Sequence, residues 1–322
     1  MKNLKFYLLV PLLSLCYSCS SPVKQQEHPF AILAYYVPEQ DYHPEKLPLG
    51  QLTHIIFSFT KVIDGEMKFR NEESGEKLKQ LVAQRKNHPH LKVMVACGGW
   101  AADGFSDMVY TQESRDKFVE SVVRFITNYD LDGLDIDWEY PTIPAAGTMA
   151  RPEDKHNFTL LMKSLREALD TLKRKQTLTF ATPGYKGQYQ NLELNEVMNY
   201  ADYINIMTYD QRVGSAPFAG HHTALGWIKE ADMKGTPAME LEERRKEEMA
   251  KHGLEYDPES AEMIVNYLMK LGVKPEQMVI GAAFYGRIWK GVPPENNGLY
   301  QPNKGPVQDG VRYADIRKDY ET

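Results

Sequence analysis

The chain has 322 residues, with 44 acidic against 38 basic side chains and a formal charge of −6. That balance excludes a nucleic-acid-coating protein whose affinity rests on net positive charge. Hydrophobic residues at 42% and charged residues at 25% exclude a disordered chain and permit either two average domains or one α/β barrel enlarged by loops.

In chain order, Lys2 and Lys5 precede an apolar run from Phe6 to Leu15 that is too short to span a membrane and is laid out as a secretory signal. Residues 1–18 are therefore set outside the fold. Cys19 follows Ser18 and precedes Ser20 and Ser21, a layout that resembles bacterial lipoprotein signals, in which this cysteine carries the lipid. Cys16 stands where such signals usually have Leu. The expectation is an exported protein, an outer-membrane or cell-surface lipoprotein or else secreted or periplasmic, touching a membrane only through a lipid on Cys19. Residues 19–28 read as a polar tether and 29–322 as one barrel domain. Cys97 is then the one cysteine of the domain, which leaves no internal disulfide, and it reads as a small buried packing residue.

Beyond the tether, short apolar runs alternate with longer segments of helical period, the pattern of repeated βα units around a parallel sheet. Strands are predicted at residues 30–36, 54–59, 92–97, 133–138, 177–181, 203–207 and 279–284, and helices at about 74–87, 114–129, 154–174, 191–199 and 258–272. The charge-dense run 240–251 predicts a solvated helix in an insertion, with Glu240 placed four before Arg244 and Glu242 four before Lys246. Residues 285–322 read as the start of a further β-rich piece.

The segment DGLDIDWEYP, residues 132–141, carries the most chemistry. Side chains alternate along a strand, so Asp135, Asp137 and Glu139 share one side while Leu134, Ile136 and Trp138 share the other. Three carboxylates in a partly desolvated row cannot all ionise, so at least one is driven to hold its proton. A Glu kept protonated near neutral pH is what general-acid cleavage of a glycosidic bond requires. Glu139 ends the row at the C-terminal end of the strand, where barrel active sites lie. A metal site is the competing reading, but no His or calcium-type loop accompanies the row.

DGLDIDWEYP resembles the DxxDxDxE signature of glycoside hydrolase family 18, the chitinase family, through Asp132, Asp135, Asp137 and Glu139, and continues into Tyr140-Pro141. MTYD at 207–210, FYGR at 284–287 and Gly98-Gly99-Trp100 follow the sixth, seventh and third predicted strands in the family's order. Ala96 replaces a Ser that is usual in the family and puts one supporting hydrogen bond in doubt. The resemblance implies a TIM-type (β/α)8 barrel and substrate-assisted hydrolysis of β-1,4-linked N-acetylglucosamine, with no metal or organic cofactor. Glu139 is implied as general acid and then base. Asp137 is implied as acceptor of the acetamido N–H, Asp135 as its proton-sharing neighbour and Tyr209 as donor to the acetamido oxygen. Tyr36, Phe59, Gly99, Trp100, Tyr140, Met207, Asp210 and Arg287 are expected to line the sugar groove, and the expected partner is chitin or its oligosaccharides, with no nucleic acid.

A complete family member has an eighth strand carrying a Trp. Trp289 is the last Trp here and no apolar strand follows it, so the expectation is a barrel lacking its eighth strand, with an α+β insertion beginning near 288 and a chain truncated relative to a longer gene. Two further readings of function stand beside chitin hydrolysis. One is an endo-β-N-acetylglucosaminidase acting on N-glycans, and the other a non-catalytic chitin-binding lectin.

Overall fold

The computed structural model of the chain describes residues 30–38, 43–226, 228–251 and 260–320; the signal, the tether and Cys19 lie outside the described residues. Its strands are β1 (Leu33–Tyr36), β2 (His54–Ile63), β3 (Glu66–Lys68), β4 (Lys92–Gly98), β5 (Gly133–Asp137), β6 (Thr177–Pro183), β7 (Tyr203–Met207), β8 (Met278–Ile280), β9 (Tyr285–Trp289) and β10 (Pro306–Arg312). The helices are α1 (Glu73–Ala83), α2 (Phe105–Tyr110), α3 (Gln112–Tyr129), α4 (Asp154–Leu169), α5 (Leu194–Val197), α6 (Glu230–Met233), α7 (Pro237–Lys251), α8 (Ala261–Lys270) and α9 (Tyr313–Tyr320).

Seven strands pair in the parallel order β1-β2-β4-β5-β6-β7-β8, a curled part of a (β/α) barrel in which β1 and β8 each have one neighbour among the described residues. Alternation divides the strands into two faces. Val93, Val95 and Cys97 of β4 and Leu134 and Ile136 of β5 point outward and pack with Phe118, Val122, Phe158 and Leu165 of α3 and α4. Met94 and Ala96 point inward with Ile56, against Leu33 and Phe59. Burial pushes the Cys97 thiol up to about 12, which agrees with a packing role and not with a nucleophile. α3 starts at a capping box between Thr111 and Ser114 and ends at Asp130 in the left-handed region, so this long helix has both ends satisfied.

Three features depart from the sequence expectation. β2 runs on to Ile63 and folds back through Asp64-Gly65, both at positive φ, into β3, a hairpin that the D-G pair between apolar runs could have signalled. β8 covers three residues where six were expected, and Ile280 and Phe284 are exposed, because pairing to β7 ends at Ile280. Glu242 of α7 is buried and pairs with Arg212 at 2.9 Å instead of lying on a solvated face. That pair roofs a second small core of Phe218, Met233, Ala238 and Tyr300, which joins the 212–251 segment to the residues after β9.

Candidate active site

The inward face of β5 delivers its acids to the C-terminal mouth of the barrel. Asp135 is fully buried and is held by donors from three other strands. Tyr35 Oη donates to its Oδ2 at 2.9 Å, and Thr179 Oγ1 and Asn205 Nδ2 donate to its Oδ1 at 2.5 and 3.0 Å. Asn205 also donates to Tyr35 Oη at 2.9 Å, closing the ring across the barrel interior. Desolvation still wins over these donors and raises the Asp135 carboxyl to about 6. Ala96, the register partner of Asp135, offers no side-chain donor, so the carboxyl is held by these three groups.

Asp137 is 6% exposed, and its Oδ1 has no hydrogen-bond partner in the protein. Burial, then the charges of Glu139 and Asp135, push its carboxyl well above the usual range against the pull of Lys61. Glu139 is half-buried, and desolvation raises it as well; a hydrogen bond from Tyr140 and the Lys61 charge oppose the rise, and the Asp210 charge adds to it. These two acids titrate as a pair that retains a proton at a pH where exposed carboxyls have lost theirs.

Close backbone contacts set the spacing. Gly98 sits at φ +130°, and a Cβ there would meet Asp137 O at 1.9 Å, so only glycine allows β4 to lie this close to the acid row. The next amide, Gly99 N–H, donates to Asp137 O at 2.8 Å. Gly281 does the same for Tyr209, whose ring fills the space where a side chain would stand. Burial, then the nearby acids, raise the Tyr209 hydroxyl, which keeps it a donor.

Asp210 follows at φ +58° and forms an ion pair with Arg287 of β9. Burial alone would raise its carboxyl, but contacts with His222, Tyr285 and Arg287 outweigh that and hold it down at about 2. The site thus contains a fixed anion at Asp210 beside an acid pair that keeps its proton.

The structure brings Asp135, Asp137, Glu139, Tyr209, Asp210 and Arg287 together. Phe59 lies under Gly99, Met207 ends β7 facing the interior beside Pro183, and Trp100 is 63% exposed just past β4. Tyr140 bonds Glu139. Tyr36 is a correction: it packs against the outer, helix-side core, and Tyr35, one residue earlier, faces the acid row. The alternation that placed the acids also gives this parity, since Leu33 and Tyr35 share the inner face. Lys61 was not foreseen because it lies beyond the predicted end of β2; its ammonium bonds Gly98 O and stacks over Phe59 at 5.3 Å. Tyr185, which donates to Asp210 O, and His222 come from loops with no motif to mark them. A small pocket lined by Ile136, Trp138, Phe158 and Phe180 lies behind β5 and β6 on the helix side and holds none of the carboxylates. Among the described residues no group of three or more His, Cys, Asp or Glu is arranged to hold a metal ion.

The model of Glycosyl hydrolases family 18 matches residues 31–321, and the chain belongs to that family. Probable chitinase 2 of Drosophila melanogaster is 32% identical over 270 residues, 80% of this chain and 49% of the fly protein. Chitinase A1 of Niallia circulans is 32% identical over 73% of this chain and 32% of its own length. The chain therefore spans half or less of these two relatives. A family 18 N-acetylglucosaminidase from Paenibacillus barengoltzii superimposes with a TM-score of 0.74 at 34% identity, covering 90% of this chain and 79% of that one. A Group IV chitinase of Ostrinia furnacalis, solved in complex with allosamidin, gives 0.74 at 25% identity over 90% and 78%.

A carboxyl whose folded pKa lies above its unfolded value of about 3.9 favours the fold only while protonated. That contribution is present below the unfolded pKa and is lost as pH rises through the folded one. Asp137→Asn is therefore expected to melt above the parent at pH 8, by about 2–4 °C for each kcal/mol recovered. The gap closes toward pH 4. Equal melting temperatures at pH 8 would show that Asp137 is not strained by burial.

Proposed function

We propose that this chain hydrolyses β-1,4 linkages between N-acetylglucosamine units, as in chitin, by a retaining, substrate-assisted mechanism. The observation that carries the reading is the buried Asp137 Oδ1 without a protein donor, within reach of the fields of a proton-retaining Glu139 and of the Tyr209 hydroxyl. Glu139 gives its proton to the glycosidic oxygen as the bond to the anomeric carbon breaks. The acetamido oxygen of the same sugar attacks that carbon and forms a cyclic oxazolinium ion. Asp137 Oδ1 accepts the acetamido N–H and stabilises the developing positive charge, while Asp135 shares a proton with Asp137. Tyr209 donates to the acetamido oxygen and holds it in line. Glu139, now a carboxylate, takes a proton from water, which opens the ring with net retention. Asp210 and Arg287 offer hydrogen bonds to the sugar, and Phe59, Trp100 and Met207 offer apolar surface under pyranose rings.

The likeness to chitinases and to a family 18 N-acetylglucosaminidase supports an N-acetylglucosamine polymer as substrate. Export, with a lipid on Cys19, belongs to the same proposal and rests on residues 1–21 alone.

On a chromogenic chitobiose-type substrate, Glu139→Gln is expected to lower kcat about 10²–10⁴-fold while oligosaccharide binding persists. Parent protein that binds chitin oligomers without turnover supports the lectin instead. Release of intact glycans from a high-mannose glycoprotein, with chitin oligomers untouched, supports the N-glycan reading. Lys61→Met removes the cation that holds Asp137 and Glu139 down, so the alkaline limb of kcat/KM should move to higher pH; an unmoved limb argues against Lys61 acting on the acids. For the anchor, Cys19→Ala should pass from the membrane fraction to the soluble one, and retention in the membrane overturns lipidation at Cys19.

A further inference from the structure

His222 lies in the segment between β7 and α6, and its side chain is 11% exposed, against the mouth of the barrel. Its two ring nitrogens contact two separate pieces of the site. Nε2 is 3.0 Å from Tyr285 O, a group that can only accept, so Nε2 carries a hydrogen. Nδ1 faces Asp210, 3.4 Å from its backbone nitrogen and 3.8 Å from its Oδ1. In the neutral ring Nδ1 accepts the Asp210 N–H; in the charged ring it pairs with the Asp210 carboxylate. Either protonation state ties the ring to the same residue.

The ring also leans on Tyr285, with centroids 5.1 Å apart, and Tyr285 in turn meets Tyr209 edge-on at 6.0 Å. Backbone contacts reinforce the placement, since Gln211 N–H donates to His222 O at 3.1 Å and Ala224 N–H donates to Gln211 Oε1 at 2.6 Å. Asp210 holds a left-handed φ of +58°, a conformation that a non-glycine residue keeps only when its surroundings over-determine it. His222 and Tyr185 from loops and Tyr285 and Arg287 from β9 all contact it.

We propose that His222 is a positioning residue: it clamps the loop after β7 to the start of β9, and so fixes Asp210 and Tyr285 around Tyr209. The consequence for rate rests on the reaction proposed above; the clamp itself does not. The charged and titratable groups that face the ring are Asp210, Tyr285 and, through Asp210, Arg287; none of them belongs to β5. His222 touches neither Glu139 nor Asp137 in this arrangement, so its effect passes through Asp210 and Tyr209.

His222→Ala should lower kcat about tenfold, with KM changed by no more than about twofold, because the acetamido oxygen loses its alignment more than the sugar loses contacts. As Asp210 shifts away, its charge raises Glu139 less, and the alkaline limb of the pH profile should move to lower pH. His222→Asn, whose Oδ1 can accept the Asp210 N–H, should restore most of kcat and return the limb. A kcat, limb and KM that match the parent in His222→Ala overturn the proposal, as does a loss that Asn does not rescue while both variants melt with the parent. Crystal structures of the two variants read the clamp without any substrate. Asp210 should leave positive φ or lose Arg287 in the Ala variant and keep both in the Asn variant, and an unmoved Asp210 in His222→Ala sinks the idea. Absence of turnover in the parent on every N-acetylglucosamine substrate would count against the reaction alone, leaving the crystallographic comparison to decide the clamp.

Discussion

Burying two aspartates on the inner face of one strand is the constraint around which this fold is arranged. An isolated buried carboxylate is too costly to remain charged and unpaired, so it acquires donors or keeps its proton. Asp135 and Asp137 take the two different solutions. Asp135 recruits Tyr35, Thr179 and Asn205, which stand 100, 44 and 70 residues away in sequence and come together only when the sheet curls. Hydrogen bonds to a charged group are each worth about 1.5–3 kcal/mol, so this ring also draws β1, β6 and β7 toward β5. Asp137 receives no comparable set, and its open Oδ1 is suited to binding an N–H donor from outside.

Around that row the chain is arranged by charge. Lys61 approaches from β2 and Arg287 from β9, while Asp210 is kept anionic by its own contacts. The result is a separation of titrating behaviour within one mouth, with carboxyls that hold protons on β5 and a fixed anion after β7. Such divergence between neighbouring acids is the usual mark of an acid–base site. It requires fixed distances, and these come from backbone contacts such as Gly98 against Asp137 O and Tyr209 against Gly281.

Period-two alternation and the βα rhythm made the seven parallel strands and the inward row of acids legible in the sequence. The motif residues at 137, 139, 209, 210 and 287 then converged on the mouth. What escaped was set by long-range geometry. Tyr35 and Tyr36 are chemically alike, and only their parity against Leu33 and Ile56 tells which one faces inward. Lys61 was hidden by ending β2 too early, before the Asp64-Gly65 turn. Thr179 and Asn205 are ordinary strand residues until the sheet closes on Asp135, and His222 lies in a segment whose periodicity says nothing. Glu242 was misread because helix charge spacing describes partners on the same helix, whereas its nearer partner, Arg212, comes from outside it.

The supports of the site are unequal. β5 is flanked on both sides, by β4 and β6, and its outer face is covered by α3 and α4, so Asp135 and Asp137 ride on the best-packed part of the sheet. Tyr35 instead rides on a four-residue β1 with one neighbour among the described residues, and the seat of Tyr209 at Gly281 follows a three-residue β8 whose last residue, Ile280, is exposed. Segments with few buried contacts open first. By that measure Tyr35 and the Tyr209 seat have weaker supports than Thr179 and Asn205, which hold Asp135 from β6 and β7 inside the sheet.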